Sequence, residues 1–143
     1  RRPDSQLVFD VNLAKSQNND NPVFYIQYAH ARISKVLEQW GGDISKLVLE
    51  ESFALNSQVE LKLIKSISIF PEIVLQATNE LAPHQIANFL KQCAADLHSY
   101  YNDSKFLVDD DKTKIARLAL INSAKFVLKN GLNLLGIKAP QQM

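Results

Sequence analysis

Residues 21–40 decide the fold, and they read NPVFYIQYAHARISKVLEQW. Asn21 is a favoured helix N-cap, and Pro22 suits the first helical turn because its missing N–H needs no partner there. Two glycines follow at positions 41 and 42, and glycine readily adopts the left-handed conformation that ends many helices. The segment therefore predicts a helix from about Asn21 to Trp40.

Two stripes of side chains run along this predicted helix. A histidine within the first, apolar stripe is better interpreted as a buried, hydrogen-bonded residue than as a catalytic one. The members of that core-facing stripe recur at helical spacing and are Val23, Ile26, His30, Ile33, Leu37 and Trp40. The second stripe is Tyr25, Tyr28 and Arg32, roughly 140° away on the helix surface.

The second stripe has the chemistry of a nucleic-acid surface. Aromatic rings stack on unpaired bases, and a planar guanidinium holds phosphate. Located on the side opposite the core, Tyr25, Tyr28 and Arg32 predict such a platform. The alternative is that another helix or another domain covers this face, and these residues alone leave both interpretations open.

The middle of the chain predicts further helices. Residues 59–70 fit either a strand or a helix, and the helix is favoured because no hairpin turn divides them. Pro71 separates this helix from a short one that ends near Leu81. Residues 84–101 carry a continuous apolar stripe of helical spacing, made of Ile86, Phe89, Leu90, Cys93, Leu97 and Tyr100.

A long last helix is predicted from residue 112 to residue 135. Gly131 is expected to interrupt or bend it, and Gly136 to end it. The acidic run Asp109–Asp111 favours the positive N-terminus of this helix. A divalent-ion site is the less favoured interpretation of the run, because spaced companion ligands are missing.

These elements predict an all-α fold, a bundle of about five to six helices with a short non-helical lead at residues 1–20. The chain has 143 residues, of which 46% are apolar and 22% charged, enough for one packed domain. Its apolar runs are too short to span a membrane.

Composition also limits the chemistry of this chain. One cysteine and three scattered histidines exclude an internal disulfide and a zinc site. Cys93, within an apolar stripe, is expected to be an inert core residue. Four glycines in the whole chain form no phosphate-binding loop. We predict no catalytic, cofactor-binding or metal-binding residue, and therefore a binding module.

The net charge of +1 conceals an uneven distribution. From residue 112 onward there is no acidic residue, which suits an anionic partner such as nucleic acid. The six basic residues of this segment are Lys112, Lys114, Arg117, Lys125, Lys129 and Lys138. The alternative is a solvated helix whose cations balance the acidic middle of the same fold.

Three groups of residues resemble the anticodon-binding domain of arginyl-tRNA synthetases, in particular those of the bacterial type. The first is the start of the helix quoted above, from Asn21 to Ile33. The second group comprises Pro83–Ile86 and Leu97–Asn102. The third comprises Arg117–Leu120, Val127–Leu132, Leu134–Ile137, Ala139-Pro140 and Met143. They occur in the family's order and span nearly the whole chain.

This resemblance implies the C-terminal, all-helical DALR domain of a class I synthetase. Residues 1–20 are then the tail of the catalytic region, and residues 21–143 are the anticodon-binding domain. The full-length enzyme is expected to be a cytoplasmic monomer that attaches arginine to its tRNA with ATP and magnesium. We interpret a chain that begins Arg1-Arg2-Pro3 as a piece of that enzyme without the catalytic motifs.

The resemblance also implies which residues meet the anticodon: the polar loop from Gln17 to Asn21, with Asn21 at its end, then Tyr25, Tyr28, Arg32, Tyr101 and Met143. Tyr101 is preferred to Tyr100, because Tyr100 falls on the core stripe of its helix. The basic residues expected to hold the RNA backbone are Lys125, Lys129 and Lys138. The alternative function is a helical protein-interaction module whose tyrosine face docks another domain.

Overall fold

The computed structural model describes residues 9–47 and 55–143, and every regular element in these ranges is helical. The α-helices are α1 (Val11–Lys15), α2 (Pro22–Trp40), α3 (Gln58–Ser68), α4 (Phe70–Asn79), α5 (His84–Asp103) and α6 (Asp111–Leu134). A single 3-10 turn, Ile44–Lys46, follows α2. The predicted all-α bundle is confirmed, and so is the helical interpretation of residues 59–70 apart from Ile69, which lies between α3 and α4. The predicted break at Pro71 is wrong, because proline fits the first turn of α4 and does not end a helix there.

Both predicted ends of α2 are present. The Asn21 side chain accepts hydrogen bonds from the N–H groups of Val23 and Phe24, and Gly41 closes the helix with a φ of +64°. The apolar stripe of α2 is buried along most of its length, although Val23 at its start is exposed. Capping and burial therefore agree on which side of α2 faces the core.

Helix α5 is central, because it packs against α2, α3, α4 and α6. Every member of its predicted apolar stripe is buried. Gly131 of α6 lies so close that a Cβ atom there would be 2.5 Å from Cδ2 of Leu90. Helix α6 continues through Gly131 to Leu134, so the predicted interruption is wrong. The glycine lets α5 and α6 approach closely.

Cys93 lies within this interior and has no accessible surface. Burial raises the pKa of the Cys93 thiol to about 12, which keeps it protonated and unreactive at neutral pH. The expected inert core cysteine is confirmed.

Two acidic residues begin helices. Asp10 caps α1 by accepting from the N–H groups of Asn12 and Leu13 at 2.9 and 3.0 Å. Helix α1 lies inside the lead that was expected to be non-helical, and it escapes detection because five residues are too few to show a helical period. Asp110 accepts from the N–H of Thr113 at 2.8 Å, which confirms that the acidic run marks the start of α6.

A buried carboxylate joins three helices. Glu60 of α3 is 1% exposed; its Oε1 accepts from Nε of Arg117 on α6 at 2.9 Å and from the hydroxyl of Tyr100 on α5 at 3.1 Å. Its Oε2 accepts from the N–H of Ser57 at 3.0 Å and completes a capping box. Burial raises the pKa of Glu60, but the hydrogen bonds and the Arg117 charge outweigh it and lower that pKa overall. Glu60 is therefore ionised at neutral pH.

Replacing Arg117 with alanine is expected to lower the free energy of unfolding by about 3–5 kcal/mol, because it leaves an ionised carboxylate buried without its cation. Urea unfolding of the chain measures the loss. Lys114→Ala is the matched control on the same helix: its partner Asp111 is exposed, and such a pair contributes less than about 1 kcal/mol. Equal losses in the two variants would contradict the assigned role of Glu60.

Candidate nucleic-acid interface

Arg32 is the centre of the predicted tyrosine–arginine stripe. Its Cζ atom lies 3.6 Å from the ring centroid of Tyr101 and 5.5 Å from that of Tyr28. Its Nη1 donates to Nδ1 of His98 at 3.0 Å. Two cation–π contacts and one hydrogen bond thus hold the guanidinium against the end of α5. None of these neighbours is a carboxylate, so they leave the positive charge of Arg32 unneutralised.

The stripe does not point away from the bundle as the sequence predicted. Tyr25 and Arg32 are half-buried, and the Tyr25 ring centroid lies 4.7 Å from that of His98. The reason is that α5 packs alongside the stripe and uses one flank of it as packing surface. Tyr28, at 38% exposure, is the most accessible of the three residues.

Tyr28 is held within a stack of rings. Its ring centroid is 6.1 Å from that of Phe24, with an interplanar angle of 11°, and 5.8 Å from that of His98, with an angle of 29°. A ring ordered in this way loses little further freedom when a base stacks on it. The arrangement therefore suits recognition of an unpaired base.

His98 is the member of this cluster that the sequence did not single out. Its Nδ1 accepts from Arg32, so its proton is on Nε2, which faces the carbonyl oxygen of Tyr25 at 3.5 Å. Burial lowers the pKa of His98, and the Arg32 charge lowers it further, which favours the neutral ring. One sequence signal could have identified His98: it precedes Tyr101 by three residues, so the two side chains lie one turn apart on the same helix face.

The exposed side of the cluster opens into a cleft of about 640 Å³. Tyr28, Arg32 and Lys35 line it from α2, and Tyr101 lines it from α5. Residues 141–143 line it as well, and so do three more residues of α2, Ala31, Glu38 and Gln39. Guanidinium, ammonium, phenol and amide groups, together with one carboxylate, therefore meet aromatic faces in one place; the aromatic, cationic and amide groups are those that recognise unstacked bases and their phosphates.

The end of the described chain reaches this cleft by crossing α2. Gly136, with a φ of +72°, turns the chain after α6. Gln27 Nε2 then donates to the carbonyl of Lys138 at 2.8 Å, and His30 Nδ1 donates to that of Pro140 at 2.7 Å. Met143, 53% exposed, consequently lies at the cleft; its contact with the anticodon stays a prediction. The expected buried, hydrogen-bonded His30 is also confirmed.

Asn21 has a role that the sequence only half described. Its Nδ2 donates to the carbonyls of Ala14 and Ser16, and its Oδ1 accepts from the N–H groups of Val23 and Phe24. These four contacts use all the hydrogen-bonding capacity of the amide, and the residue is buried. Asn21 therefore holds the polar loop against α2, and its side chain has no polar atom left for RNA.

Two further clefts flank α2. One, of about 1130 Å³, lies between α1 and the start of α2, and Met143 also borders it. The other, of about 350 Å³, is lined by Tyr25, Asn19 from the polar loop and Lys91 from α5, among others. Tyr25 and Tyr28 both contact the His98 ring but line different clefts, so they do not form one flat platform.

The three lysines predicted to hold phosphate divide into two environments. Lys129 and Lys138 are exposed, whereas Lys125 is half-buried, and burial together with the Lys129 charge lowers the pKa of Lys125. The charges of Lys125 and Lys129 also lower the pKa of His30, so both lysines lie close enough to α2 to influence this buried ring. Lys129 is the better placed of the α6 pair for a solvent-side phosphate contact.

In the described ranges, no group of three or more His, Cys, Asp or Glu side chains is arranged to hold a metal ion. No helix there is long and apolar enough to cross a lipid bilayer. The cleft beside Tyr28 and Arg32 presents aromatic, cationic and amide groups and one carboxylate.

Comparison with known proteins gives consistent matches. The family model described as the DALR anticodon binding domain matches residues 26–143. An arginine–tRNA ligase from Nitrosomonas eutropha is 51% identical over all 143 residues, and one from Nitrosospira multiformis is 50% identical over the same length. The Thermus thermophilus arginyl-tRNA synthetase structure superposes with a TM-score of 0.82 at 33% identity over 99% of the chain.

The chain spans about a quarter of the length of these relatives. It covers 24% of the Nitrosomonas protein, 25% of the Nitrosospira protein and 24% of the Thermus chain. The similarity therefore concerns one domain of proteins that are about four times as long.

Acidification is expected to weaken the Arg32–His98 contact and with it the fold. The folded-state pKa of His98 is lower than its ordinary value of 6.5, so the unfolded chain binds the proton more readily. The stability that neutral His98 contributes is fully present above pH 6.5. It is lost as the pH falls from there through the folded-state pKa, at up to about 1.4 kcal/mol per pH unit.

Urea unfolding at pH 7.5 and pH 5.5 measures this loss. His98→Asn places a non-titrating amide oxygen near the position of Nδ1, so this variant should lose less stability over the interval than the wild-type chain. An identical pH dependence in both proteins would show that His98 does not titrate as described.

Proposed function

We propose, from the premise that the chain belongs to the family of DALR anticodon binding domains, that it is the anticodon-recognition domain of an arginine–tRNA ligase. Membership of this family confirms the resemblance inferred from the three motif groups. The observation that carries the RNA-binding site is the cleft in which Tyr28, Arg32 and Tyr101 meet. Aromatic and cationic groups at such a site are typical of single-stranded RNA recognition.

Within this site, an anticodon base splayed from its loop stacks on the exposed side of Tyr28. The Arg32 guanidinium, oriented by His98 and Tyr101, donates to the base edge or to the adjacent phosphate. Met143 contributes an apolar contact from the opposite wall. Tyr25 contacts the RNA in the separate cleft next to the polar loop, and Asn21 positions that loop.

Chemistry is assigned to the remainder of the ligase. We assign ATP and magnesium to that remainder as well; the described residues hold no cluster arranged for a metal ion, and the four glycines of the sequence form no phosphate-binding loop. Residues 1–20 are the tail of the catalytic region and residues 21–143 the recognition domain. The partners are the arginine tRNA and the catalytic domain of the same polypeptide, in a cytoplasmic, monomeric enzyme.

Tyr28→Ala in the full-length ligase should reduce kcat/KM for tRNA by roughly 5- to 150-fold, since a stacked base contributes about 1–3 kcal/mol. The KM values for arginine and ATP should stay at wild-type levels, because the substituted ring lies in the recognition domain. Steady-state aminoacylation measures all three constants.

Two controls sharpen this test. Tyr28→Phe retains the aromatic face and should stay close to wild type, whereas Phe126→Ala removes an exposed ring that does not line the cleft. A normal kcat/KM in Tyr28→Ala would remove stacking on Tyr28 from the proposed function.

Lys129→Ala should weaken tRNA binding and reduce the slope of log affinity against log salt by about one, if Lys129 neutralises one phosphate. A tRNA titration at several salt concentrations gives both quantities. Lys65→Ala, at an exposed lysine of α3 amid the acidic middle of the chain, is the matched control. An unchanged slope in Lys129→Ala would show that Lys129 contacts protein or solvent rather than RNA.

The same titration separates the alternative function, a helical protein-interaction module whose tyrosine face docks another domain. That module should bind tRNA no better in wild type than in Tyr28→Ala at any salt concentration.

A further inference from the structure

The segment that crosses α2, residues 138–143, is held to the bundle by few polar contacts. Two side chains of α2 provide them: Gln27 donates to the Lys138 carbonyl at 2.8 Å, and His30 donates to the Pro140 carbonyl at 2.7 Å. Beyond Pro140, the hydrogen bonds among the described residues include none to positions 141–143. His30 is therefore the last polar attachment before the residues that line the cleft.

The chemical state of His30 follows from its partner. A proline carbonyl only accepts hydrogen bonds, so Nδ1 of His30 carries the proton. Burial lowers the pKa of His30, although the bond to Pro140 opposes it, and the Lys125 and Lys129 charges lower it further. The neutral ring then has a bare Nε2, which is buried without a hydrogen-bond partner among the described residues.

This orphaned nitrogen is informative. His30 is 1% exposed, and an aliphatic residue could fill the same place in the α2 core stripe without leaving a polar atom unsatisfied. The property that histidine adds there is the Nδ1–H directed at Pro140. His30 therefore contributes to holding residues 138–143, the segment that crosses α2, as well as to the core.

The attachment point also controls direction. Proline fixes its own φ, so holding the Pro140 carbonyl constrains how the next three residues leave the bundle. Those residues are the ones that line the cleft beside Tyr28 and Arg32. The buried His30 side chain on one face of α2 thereby restricts where Met143 lies at the cleft on another face.

We propose that His30 is a positioning residue for RNA recognition: by donating from Nδ1 to the Pro140 carbonyl, it holds residues 141–143 as a wall of the anticodon cleft. This inference rests on the proposed function, in which the cleft binds RNA. It assigns His30 no contact with RNA.

The first test is a double-mutant cycle in the full-length ligase, with the dissociation constant for the arginine tRNA as readout. His30→Leu and Met143→Ala should each weaken binding by roughly 3- to 10-fold. The loss of affinity in the double variant should be clearly smaller than the product of the two single losses, because His30 acts through Met143 and its neighbours. Effects that multiply independently would overturn the proposal and leave His30 as a core-packing residue.

Rescue by a conservative variant supplies a second readout. His30→Asn keeps an amide donor near the position of Nδ1, so its tRNA affinity should lie within about twofold of wild type while His30→Leu remains weak. Asparagine as weak as leucine would show that the donor is not what matters, and would overturn the proposal.

A third readout needs no RNA. Trypsin cleavage after Lys138, followed by mass spectrometry, reports how often the segment leaves α2, because a protease requires a locally opened chain. Cleavage should be several-fold faster in His30→Leu and near the wild-type rate in His30→Asn. Unchanged cleavage in His30→Leu would overturn the attachment itself.

Two further comparisons keep the outcome decisive. If His30→Leu does not fold, Gln27→Leu takes its place, because it removes the other attachment of the segment. Gln27→Leu should also accelerate cleavage after Lys138, and its effect on tRNA affinity should couple to that of Met143→Ala. If neither the faster cleavage nor the coupling is observed, the proposal is overturned. If Tyr28→Ala leaves tRNA affinity unchanged, the proposed function fails, whereas normal affinity in His30→Leu beside a weak Tyr28→Ala contradicts only the role of His30.

Discussion

The packing of α5 against four other helices is the constraint from which the rest of the structure follows. A helix surrounded in this way must obtain partners for its polar side chains from its neighbours. In the described ranges, three side-chain pairs join it to neighbouring helices in this way: Asp96 with Lys62 of α3 at 2.9 Å, Tyr100 with Glu60 of α3, and His98 with Arg32 of α2. These pairs help to determine which sides of α2 and α3 face α5. Through Arg117, the Glu60 contact extends to α6 as well.

The candidate site is a consequence of the third contact. Because His98 accepts from Arg32, the arginine is drawn against two aromatic rings instead of extending into solvent. Its partners there are neutral, so its charge remains available to a phosphate or a base edge. The same histidine ring stacks on Tyr28, which orders the most exposed ring of the cluster. In the proposed function, RNA therefore contacts side chains that packing within the bundle has already ordered.

Local features of this fold were predictable from the sequence, and relations between helices were not. Capping residues and apolar spacing predicted α2, α5 and α6 to within a few residues, because both act within one helical turn. The chemistry of the tyrosine–arginine stripe was also visible. Its packing against α5, the role of His98 and the close approach at Gly131 depend on how two helices meet, which no single-helix pattern contains. Asn21 shows the same limit: its cap was evident, and its bonds to the polar loop were not.

No single local motif contains the whole candidate site, and the reason is physical. The cleft is built from α2, the end of α5 and the segment that crosses α2, which are far apart in the sequence. A net charge of +1 gives little overall attraction for RNA, so recognition has to depend on where a few groups are placed rather than on total charge. The acid-free stretch from residue 112 onward can attract the phosphate backbone, but it carries no sequence information. In the proposed function, discrimination between anticodons then depends on the aromatic and guanidinium groups, whose relative positions exist only when the bundle is folded. For this domain, folding stability and recognition are consequently two readouts of the same contacts.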